Sequence, residues 1–549
     1  MRQNQKKALF FIIFSIFVGV FTVKVCFAPR TQENLIESSI DSRGTETDNV
    51  GIKCSTTDLS GREITIVDIF EDSYQSWSQT AAREPWITGQ GTVSKPYIID
   101  DVIMVGGGYI TIMESSKHFI IRNSVFRGTF GINLQNTNNG RIINNEISDS
   151  SSAILLFPYC DNNIISGNKL YENEIGIYSY LGCDNNQIVG NEIYNNSRGI
   201  YFDGTDESCD GNIINSNTIY DNGYGIYIDS GNDYEISGNT IEFNQYGIYV
   251  KNSNDITISN NIENDNIDRR GAGNGISLYN SHYATISNND ISNSNYGIFL
   301  SDCSFPTLTS NSMNQCGLDI TGLNEDLITF DIDTTNQVNG KPIYFYFSKE
   351  GLNKNDFITD GVPGQIILVN CNDSLISDLT IYGGSIGFLL YYCNNNTIIG
   401  VMSSELNVHG HGIELIYSNY NNITENTANN NFYGICLISS NYNNITKNTL
   451  LDNHQWLYES NDCVGNTIEN NIISSDDDDD DPDDGGGGDD GGGGGGNDDN
   501  DNNDDKGESF NLLSFLFSPV GFIIIGGISA AGTIGIVLLI KKGSVSKIR

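Results

Sequence analysis

The sequence is poor in the residues that build helices and in basic residues. Alanine and leucine are sparse, and no long run between the termini repeats apolar residues at the 3.6-residue spacing of an amphipathic helix. Lysine and arginine total 28 against 69 aspartates and glutamates, which gives a formal net charge of −41. The first shortage disfavours an α-rich protein, and the second disfavours binding to nucleic-acid phosphates.

Histidine and methionine, which are common copper ligands, are also few. The chain has five His and five Met, and its 11 Cys form no Cys-x-x-Cys pair, so the usual zinc signature is absent. The single suggestive copper motif is His409-Gly410-His411, because alternation along a strand would put both imidazoles on one face. A surface pair without metal is the simpler interpretation, which makes copper a less favoured cofactor.

A repeat dominates the rest of the chain. The phrase Asn-x-Ile-x-x-Asn-x-x-Gly-Ile returns, for example at residues 191–203, and most successive Gly-Ile marks lie 22 or 23 residues apart. A fixed period of this length indicates a solenoid. Each period carries three short runs that alternate at period 2, as strands do, and the signature of a leucine-rich repeat is missing. We therefore predict an all-β protein, a single-stranded parallel β-helix of about 14 coils of about 22 residues.

Stacked coils align like residues, so the repeated asparagines should form columns. We expect them to tolerate the left-handed turn conformation and to hydrogen-bond one another as structural ladders. The first column is Asn145, Asn168, Asn191, Asn217, Asn239, Asn261, Asn289, Asn311, Asn426 and Asn448. The second is Asn173, Asn196, Asn222, Asn244, Asn431 and Asn453.

Most cysteines follow the same register, in a small-residue column that serine occupies in other coils. In this column Cys160 and Cys183 would be neighbours, as would Cys371 and Cys393, at a separation that a disulfide can span. Stacked free thiols in place of serine are the alternative for both pairs.

Both chain ends carry apolar runs. Residues 1–28 have the basic start and short apolar core of a signal peptide, although Pro29 after the cleavage point leaves an uncleaved signal anchor open. Residues 515–540 are long enough to span a bilayer, and the basic tail at 541–549 predicts a cytoplasmic C-terminus. We expect a cell-membrane protein whose large domain is extracellular or periplasmic, with weak self-association through small residues of the span.

The remainder divides by composition and by the repeat. Segment 474–510 is rich in Asp and Gly and cannot bury a core, so we predict a disordered stalk. The repeat fails at 319–365, and a break of this length is typical of a functional segment or a domain joint. The predicted order is a variable N-terminal region (29–84), a first β-helix block (85–318), an irregular junction (319–365), a second block (366–473) and the stalk.

Two segments outside the repeat give the chain a family resemblance. With the repeats, residues 338–344 (VNGKPIY) and 364–371 (GQIILVNC) resemble the NosD-like right-handed β-helix proteins. That group overlaps the carbohydrate-binding and sugar-hydrolysing β-helices related to pectate lyases. The resemblance covers roughly residues 85–473 and implies right-handed winding. It also implies a copper-related accessory role, since the namesake is associated with maturing the copper centre of nitrous oxide reductase.

Two acids are candidates for polysaccharide chemistry. Asp203 and Asp229 fall at one position in adjacent coils and should lie about 5 Å apart. Two carboxylates this close disfavour joint ionisation, match the spacing in retaining glycosidases and could share Ca²⁺ with an acidic sugar. Ordinary solvated acids on an acidic surface are the alternative, so an enzyme, either a polysaccharide lyase or a glycoside hydrolase, ranks second to a binding protein.

Aromatic residues form candidate ligand-binding rows. Tyr178, Tyr201, Tyr227 and Tyr249 share one outward column, where they could stack on sugar rings or on one another as a cross-strand ladder. The single Arg-Arg pair, Arg269-Arg270, lies in an insertion and is a further candidate. We predict a rigid surface that binds carbohydrate or surface proteins. Sequons that would place glycans on exterior turns are at Asn195, Asn372, Asn395, Asn422 and Asn444.

Overall fold

The computed structural model describes residues 57–68, 75–128, 130–266, 273–382, 384–404, 406–407 and 410–474. They form an all-β parallel solenoid of about 17 turns with almost no helix, which confirms the predicted fold class. The predicted signal segment, most of the stalk, the membrane span and the basic tail lie outside these ranges. Among the described residues, no helix has the length and apolar character needed to cross a bilayer.

In the first block, every coil contributes one strand to each of three long sheets. The sheet of Gly-Ile strands, called sheet B, contains Glu63–Val67, Tyr109–Met113, Ile132–Gln135, Ser152–Leu156, Ile175–Tyr180, Arg198–Asp203, Tyr224–Asp229, Tyr246–Lys251, Asn274–Tyr279, Tyr296–Ser301 and Leu318–Thr321. The next contains Ile87–Thr88, Tyr97–Asp100, Phe119–Arg122, Gly140–Ile143, Ile164–Ser166, Gln187–Val189, Ile213–Asn215, Glu235–Ser237, Thr257–Ser259, Thr285–Ser287, Thr307–Thr309 and Asp331–Ile332.

The sheet of Asn-x-Ile strands continues from the first block into the second. Its first-block strands are Thr57–Asp58, Val102–Val105, Val125–Arg127, Glu146–Ser148, Lys169–Tyr171, Glu192–Tyr194, Thr218–Tyr220, Thr240–Glu242, Ile262–Asn264, Asp290–Ser292, Ser312–Asn314 and Gln337–Val338. The continuation, called sheet F, contains Lys341–Phe347, Gln365–Val369, Ile386–Tyr391, His411–Ile416, Tyr433–Ile438 and Gln455–Glu459.

The remaining elements are short. The second block adds Leu375–Ser377, Thr397–Ile399, Asn422–Thr424, Asn444–Thr446 and Thr467–Glu469 as one sheet, and the pairs Thr380–Tyr382 with Met402–Ser404 and Thr449–Leu450 with Ile472–Ile473. Within the described ranges, two short α-helices span Trp77–Arg83 and Asn324–Leu327, and a 3₁₀ turn spans Lys354–Phe357. Strands of the N-terminal region and of the junction continue the stack, which is why the solenoid has more turns than the 14 predicted.

The core is built from columns of isoleucine, because residues at one position of successive coils pair in register. Ile177, Ile200, Ile226 and Ile248 align in consecutive strands of sheet B, and all four are fully buried. Burial of apolar surface at every coil supplies the stabilisation that a coil cannot obtain alone.

The asparagine ladders form as predicted, with one correction. Asn191 is buried, accepts from the backbone N–H of Asn168 at 2.9 Å, and donates to Asn217 Oδ1 at 2.9 Å and to the carbonyl of Ile165 at 3.0 Å. The left-handed turn conformation belongs to the preceding residue, as at Gly190 with φ of 66°. The ladder asparagine therefore stabilises the turn through the hydrogen bonds of its side-chain amide, and not by adopting the left-handed backbone conformation itself.

A third buried asparagine ladder was not predicted from the sequence. It contains Asn163, Asn186 and Asn212 in the first block, and Asn396, Asn421 and Asn443 in the second. Like the other two ladders, it satisfies the turn between two strands with amide hydrogen bonds.

The two predicted disulfides are not formed. Cys160, Cys183, Cys371 and Cys393 are buried free thiols, and the Cys183 sulfur accepts from the backbone N–H of Cys160 at 3.3 Å. Serine does the same elsewhere in the column, where Ser253 Oγ accepts from the N–H of Gly231 at 3.1 Å. The thiols thus point along the column as hydrogen-bond acceptors, which is the free-thiol alternative.

Because serine already serves in this column, we expect Cys183→Ser to change the free energy of unfolding by less than about 1 kcal/mol. Urea denaturation of the two proteins checks this. Alkylation of the unfolded protein without reductant should label both Cys160 and Cys183. A loss of several kcal/mol, or a pair that resists alkylation until reduced, would show that a disulfide forms after all.

The chain changes course at the junction. Gln337–Val338 still pairs in parallel with Ser312 and Met313, and then forms an antiparallel hairpin with Lys341 and Pro342. Asn339 and Gly340 occupy the turn with φ of 52° and 71°, the conformation for which Asn-Gly is preferred. This reversal starts the parallel strands of sheet F.

The outer face of sheet F covers the end strand of sheet B. The Gln365 side chain accepts from Leu318 N at 3.0 Å and donates to Leu318 O at 2.6 Å, while Ser385 Oγ accepts from Gly317 N at 2.9 Å. An exposed strand edge is thus capped by side chains. Residues of the first and second blocks contact each other there, on the outer face of sheet F.

One core position is acidic. Glu263 aligns with Ile241 and Ile291 of the neighbouring coils, while Ile262 beside it points outward and is 51% exposed. The Glu263 side chain is fully buried, and neither carboxyl oxygen has a hydrogen-bond partner among the described residues. Burial raises the pKa of Glu263 well above its usual value. The coil therefore contains a buried carboxyl group without a hydrogen-bond partner in the described part of the chain, at a position where the neighbouring coils carry isoleucine.

Candidate functional site

Tyrosines crowd the outer surface of sheet B, and we call this surface the aromatic face. The structure places Tyr178, Tyr201, Tyr227 and Tyr249 in one row. The first two rings are parallel to within 1° at 5.1 Å, and the next pair lies 4.8 Å apart at 26°. Tyr227 and Tyr249 also lie 5.1 Å apart, but their rings are nearly perpendicular, at 88°. The row is therefore a cross-strand ladder in which neighbouring rings contact one another and few ring faces stay open.

The two predicted acids also lie on this face, in register in adjacent coils. Asp203 accepts from Tyr201 Oη at 3.0 Å and Thr205 Oγ1 at 2.7 Å. Asp229 is buried and forms an ion pair with Lys251 Nζ at 2.8 Å. Burial alone would lower the pKa of Lys251, but hydrogen bonds to Asp229 and Tyr227 outweigh it and raise that pKa. Lys251 thus supplies a counter-charge to Asp229.

Arg198 begins the strand that ends at Asp203, and it pairs in register with Tyr224 of the next coil. Its guanidinium carbon lies 4.8 Å from the Tyr201 ring centre and 5.9 Å from that of Tyr227. These are cation–π distances. The side chain is half-buried, and the predictions based on sequence did not single it out.

A second cluster lies on the outer face of sheet F. His411 and Glu414 belong to one strand, and Cys436 pairs with Glu414 in the next. One ligand atom from each of the three side chains lies within 4.8 Å of the other two, and no other such group of three occurs among the described residues. Glu414 and Cys436 are buried, and the His411 side chain is 14% exposed. His411 is thus the most exposed of the three side chains.

Neighbouring charges tune this cluster. Burial alone would lower the pKa of His411, but Glu414 and Asp319 outweigh burial and raise that pKa. Burial and the Glu414 charge raise the pKa of the Cys436 thiol well above its usual value. Burial, together with Glu414, raises the pKa of Asp319 to about 8. Asp319 comes from the last strand of sheet B, so both blocks contribute to the electrostatics of the cluster.

The donor set fits a transition metal. The Nδ1 atom of His411 lies 3.0 Å from Glu414 Oε2, yet the two groups do not align as a hydrogen bond, and Nδ1 has no other such partner in the described part of the chain. Imidazole and thiolate suit copper and zinc, and a carboxylate adds an oxygen ligand. A ring nitrogen without a hydrogen-bond partner, next to a thiol and a carboxylate, is the arrangement expected of a metal-binding site.

Sequence reasoning found one member of this cluster and missed two. His411 was a predicted ligand, whereas its predicted partner His409 lies outside the described residues, as do Arg269 and Arg270. The signal for the missing ligands was present: Glu414 follows Gly412-Ile413, and Cys436 follows Gly434-Ile435 at the same offset in the repeat. Equal offsets imply adjacent outward positions.

The sequons occupy the exterior of the solenoid. Asn195, Asn395 and Asn444 are exposed, and Asn372 and Asn422 are half-buried. Their modification stays a prediction.

A family model described as "Periplasmic copper-binding protein (NosD)" matches residues 92–208, 203–329 and 327–481. No curated protein matches the chain.

Solved structures resemble it at low identity. The tailspike of Escherichia coli bacteriophage HK620 is 12% identical, covering 67% of this chain and 69% of its own, with a TM-score of 0.36. An alginate lyase of Paenibacillus is 14% identical, over 49% and 99%, with a TM-score of 0.34. The A-module of a mannuronan C-5 epimerase of Azotobacter vinelandii is 15% identical, over 45% and 87%, with a TM-score of 0.31. Identity this low says nothing about activity.

Proposed function

Because the chain belongs to the NosD family of periplasmic copper-binding proteins, we propose that it binds a copper ion between His411, Glu414 and Cys436. The observation that carries the proposal is the convergence of an imidazole, a carboxylate and a thiol within 4.8 Å at a buried position. A bound cation would favour the thiolate over the thiol and would neutralise the acids that surround it.

The test is a copper titration of the purified protein and of two single variants, His411→Ala and Cys436→Ser. We expect each variant to bind copper at least about 10-fold more weakly than wild type, since removal of one ligand from a three-ligand site costs more than 1.4 kcal/mol. Wild type loaded with Cu²⁺ should also show a thiolate-to-copper charge-transfer band that Cys436→Ser abolishes.

His118→Ala and Cys303→Ser are the matched controls, because they remove an imidazole and a buried thiol elsewhere in the solenoid. Both should retain wild-type affinity. Equal affinity in wild type and in both site variants would overturn the proposal.

For location, we infer a periplasmic or extracellular domain, since the family is one of periplasmic proteins. The proposal extends to a right-handed β-helix carried on the acidic stalk at 474–510 and held in the membrane by residues 515–540. The apolar run and the basic residues after it support this arrangement.

A second candidate function is the binding of polysaccharide or of surface proteins at the aromatic face. The specific observation in its favour is the row of tyrosines together with the Arg198 guanidinium, which lies over two of their rings. Catalysis is less well supported than binding, because Asp203 and Asp229 are both engaged by neighbouring side chains.

A further inference from the structure

The side chain of Arg198 is an exception among the charged groups of the aromatic face. No acceptor in the described part of the chain takes a hydrogen bond from its guanidinium, and its Nε is buried without a partner. By contrast, Lys251 is paired with Asp229 at 2.8 Å. Buried donors are almost always hydrogen-bonded in native proteins, so an unsatisfied one calls for an explanation.

Three other arginines of the solenoid are paired with carboxylates. Arg62, Arg122 and Arg127 each donate to a carboxylate at 2.6 to 2.8 Å. Arg141 has no such partner either, but it is exposed on the next sheet, where water can serve it. Arg198 is thus distinguished by the combination of partial burial and an uncommitted guanidinium in a chain of net charge −41.

The surroundings hold this guanidinium in place. The rings of Tyr201 and Tyr227 contact it at cation–π distance, and the ladder fixes both rings against their neighbours. Among the described residues no carboxylate forms an ion pair with this guanidinium: Asp203 accepts from Tyr201 and Thr205, and Asp229 is paired with Lys251. A fixed, planar guanidinium with free donors matches a carboxylate, which it binds through two parallel hydrogen bonds.

We infer that Arg198 binds the carboxylate of a uronic acid unit in an acidic polysaccharide that lies on the aromatic face. The inference deepens the second candidate function and rests on it. Because the tyrosines stack on one another, the face offers hydroxyls and ring edges more than open ring faces, and the polar group at Arg198 then decides which glycan is held. Uronate is selected over a neutral sugar because its carboxylate carries the charge opposite to the guanidinium and accepts two parallel hydrogen bonds from it.

The test uses the full chain and two matched polymer probes. Polygalacturonate is compared with the same polymer after complete methyl esterification, which removes the charge and leaves the sugar backbone. EDTA is present throughout to exclude calcium bridging. Binding is measured for wild type, Arg198→Gln, Arg198→Lys and the control Arg141→Gln, after far-UV circular dichroism shows that all four are equally folded.

We expect wild type and Arg141→Gln to bind polygalacturonate at least 10-fold more tightly than its ester. Arg198→Gln should lose this preference, and Arg198→Lys should recover only part of it because an ammonium cannot form the two parallel bonds. Equal binding of acid and ester, or an unchanged preference in Arg198→Gln, would overturn the uronate assignment and leave glycan binding standing. Failure of both polymers to bind would remove the glycan function together with the inference.

Discussion

Replacement of Asn191 by Ala is expected to lower the free energy of unfolding by about 3 to 5 kcal/mol, since several buried groups lose their partners at once. The Asn191 amide accepts from the backbone and side chain of Asn168 and donates to Ile165 and Asn217. Alanine can replace none of these bonds, and water cannot reach a position that is 1% exposed. Urea denaturation followed by far-UV circular dichroism measures the loss.

The control is Asn314→Ala, which removes an exposed asparagine from the same sheet. We expect a change within about 0.5 kcal/mol there, as for most surface substitutions. A solenoid unfolds through nearest-neighbour coils, so the Asn191 variant should also show a broader transition. A loss as small as that of the control would mean that the ladder does not hold the coils together.

Replacement of Glu263 by Ile is expected to stabilise the protein, by about 2 to 4 kcal/mol at neutral pH, because an unsatisfied buried carboxyl is removed from the core. The neighbouring coils carry Ile241 and Ile291 at this position, so the new side chain continues an existing column. Thermal unfolding of both proteins measures the gain, and Ile258→Leu, which keeps an apolar residue in the core, serves as the control for repacking.

The gain from Glu263→Ile should depend on pH in a fixed direction. The pKa of Glu263 is raised in the folded protein, so the folded state binds a proton that the unfolded state releases above about pH 4.3. The wild type therefore loses stability as pH rises from there toward the folded pKa. The stabilisation by Ile should be smallest near pH 4 and larger at pH 7, and a gain that is independent of pH would show that Glu263 is not buried as an unpaired acid.

The coil architecture could be predicted from the sequence because every coil carries the same pattern of Asn and Ile residues. Asn191 and Ile200 are each one member of a column of identical residues, and the period of the repeat is enough to predict that these residues align. The same reasoning placed Tyr201 beside Tyr227 and Asp203 beside Asp229. It assigned the left-handed turn to the wrong residue, since the position before the ladder asparagine takes that conformation.

The candidate metal site was only partly predictable, for a physical reason. Period-based reasoning aligns neighbours within a block, so it could have joined Glu414 to Cys436. It could not bring Asp319 to them, because that approach depends on the reversal at Asn339-Gly340 and on the capping of one sheet by the face of another. The repeat period therefore cannot predict contacts that form where the repeat is interrupted. Glu263 escaped notice for a simpler reason, a shift of one residue in its coil.

The most direct test of the copper site is X-ray absorption at the copper edge of the copper-loaded protein. The account predicts a first coordination shell that contains one sulfur, from Cys436, with nitrogen and oxygen from His411 and Glu414. The sulfur should be absent in Cys436→Ser. A wild-type shell of nitrogen and oxygen alone, or a sulfur that persists in Cys436→Ser, would contradict the proposed site.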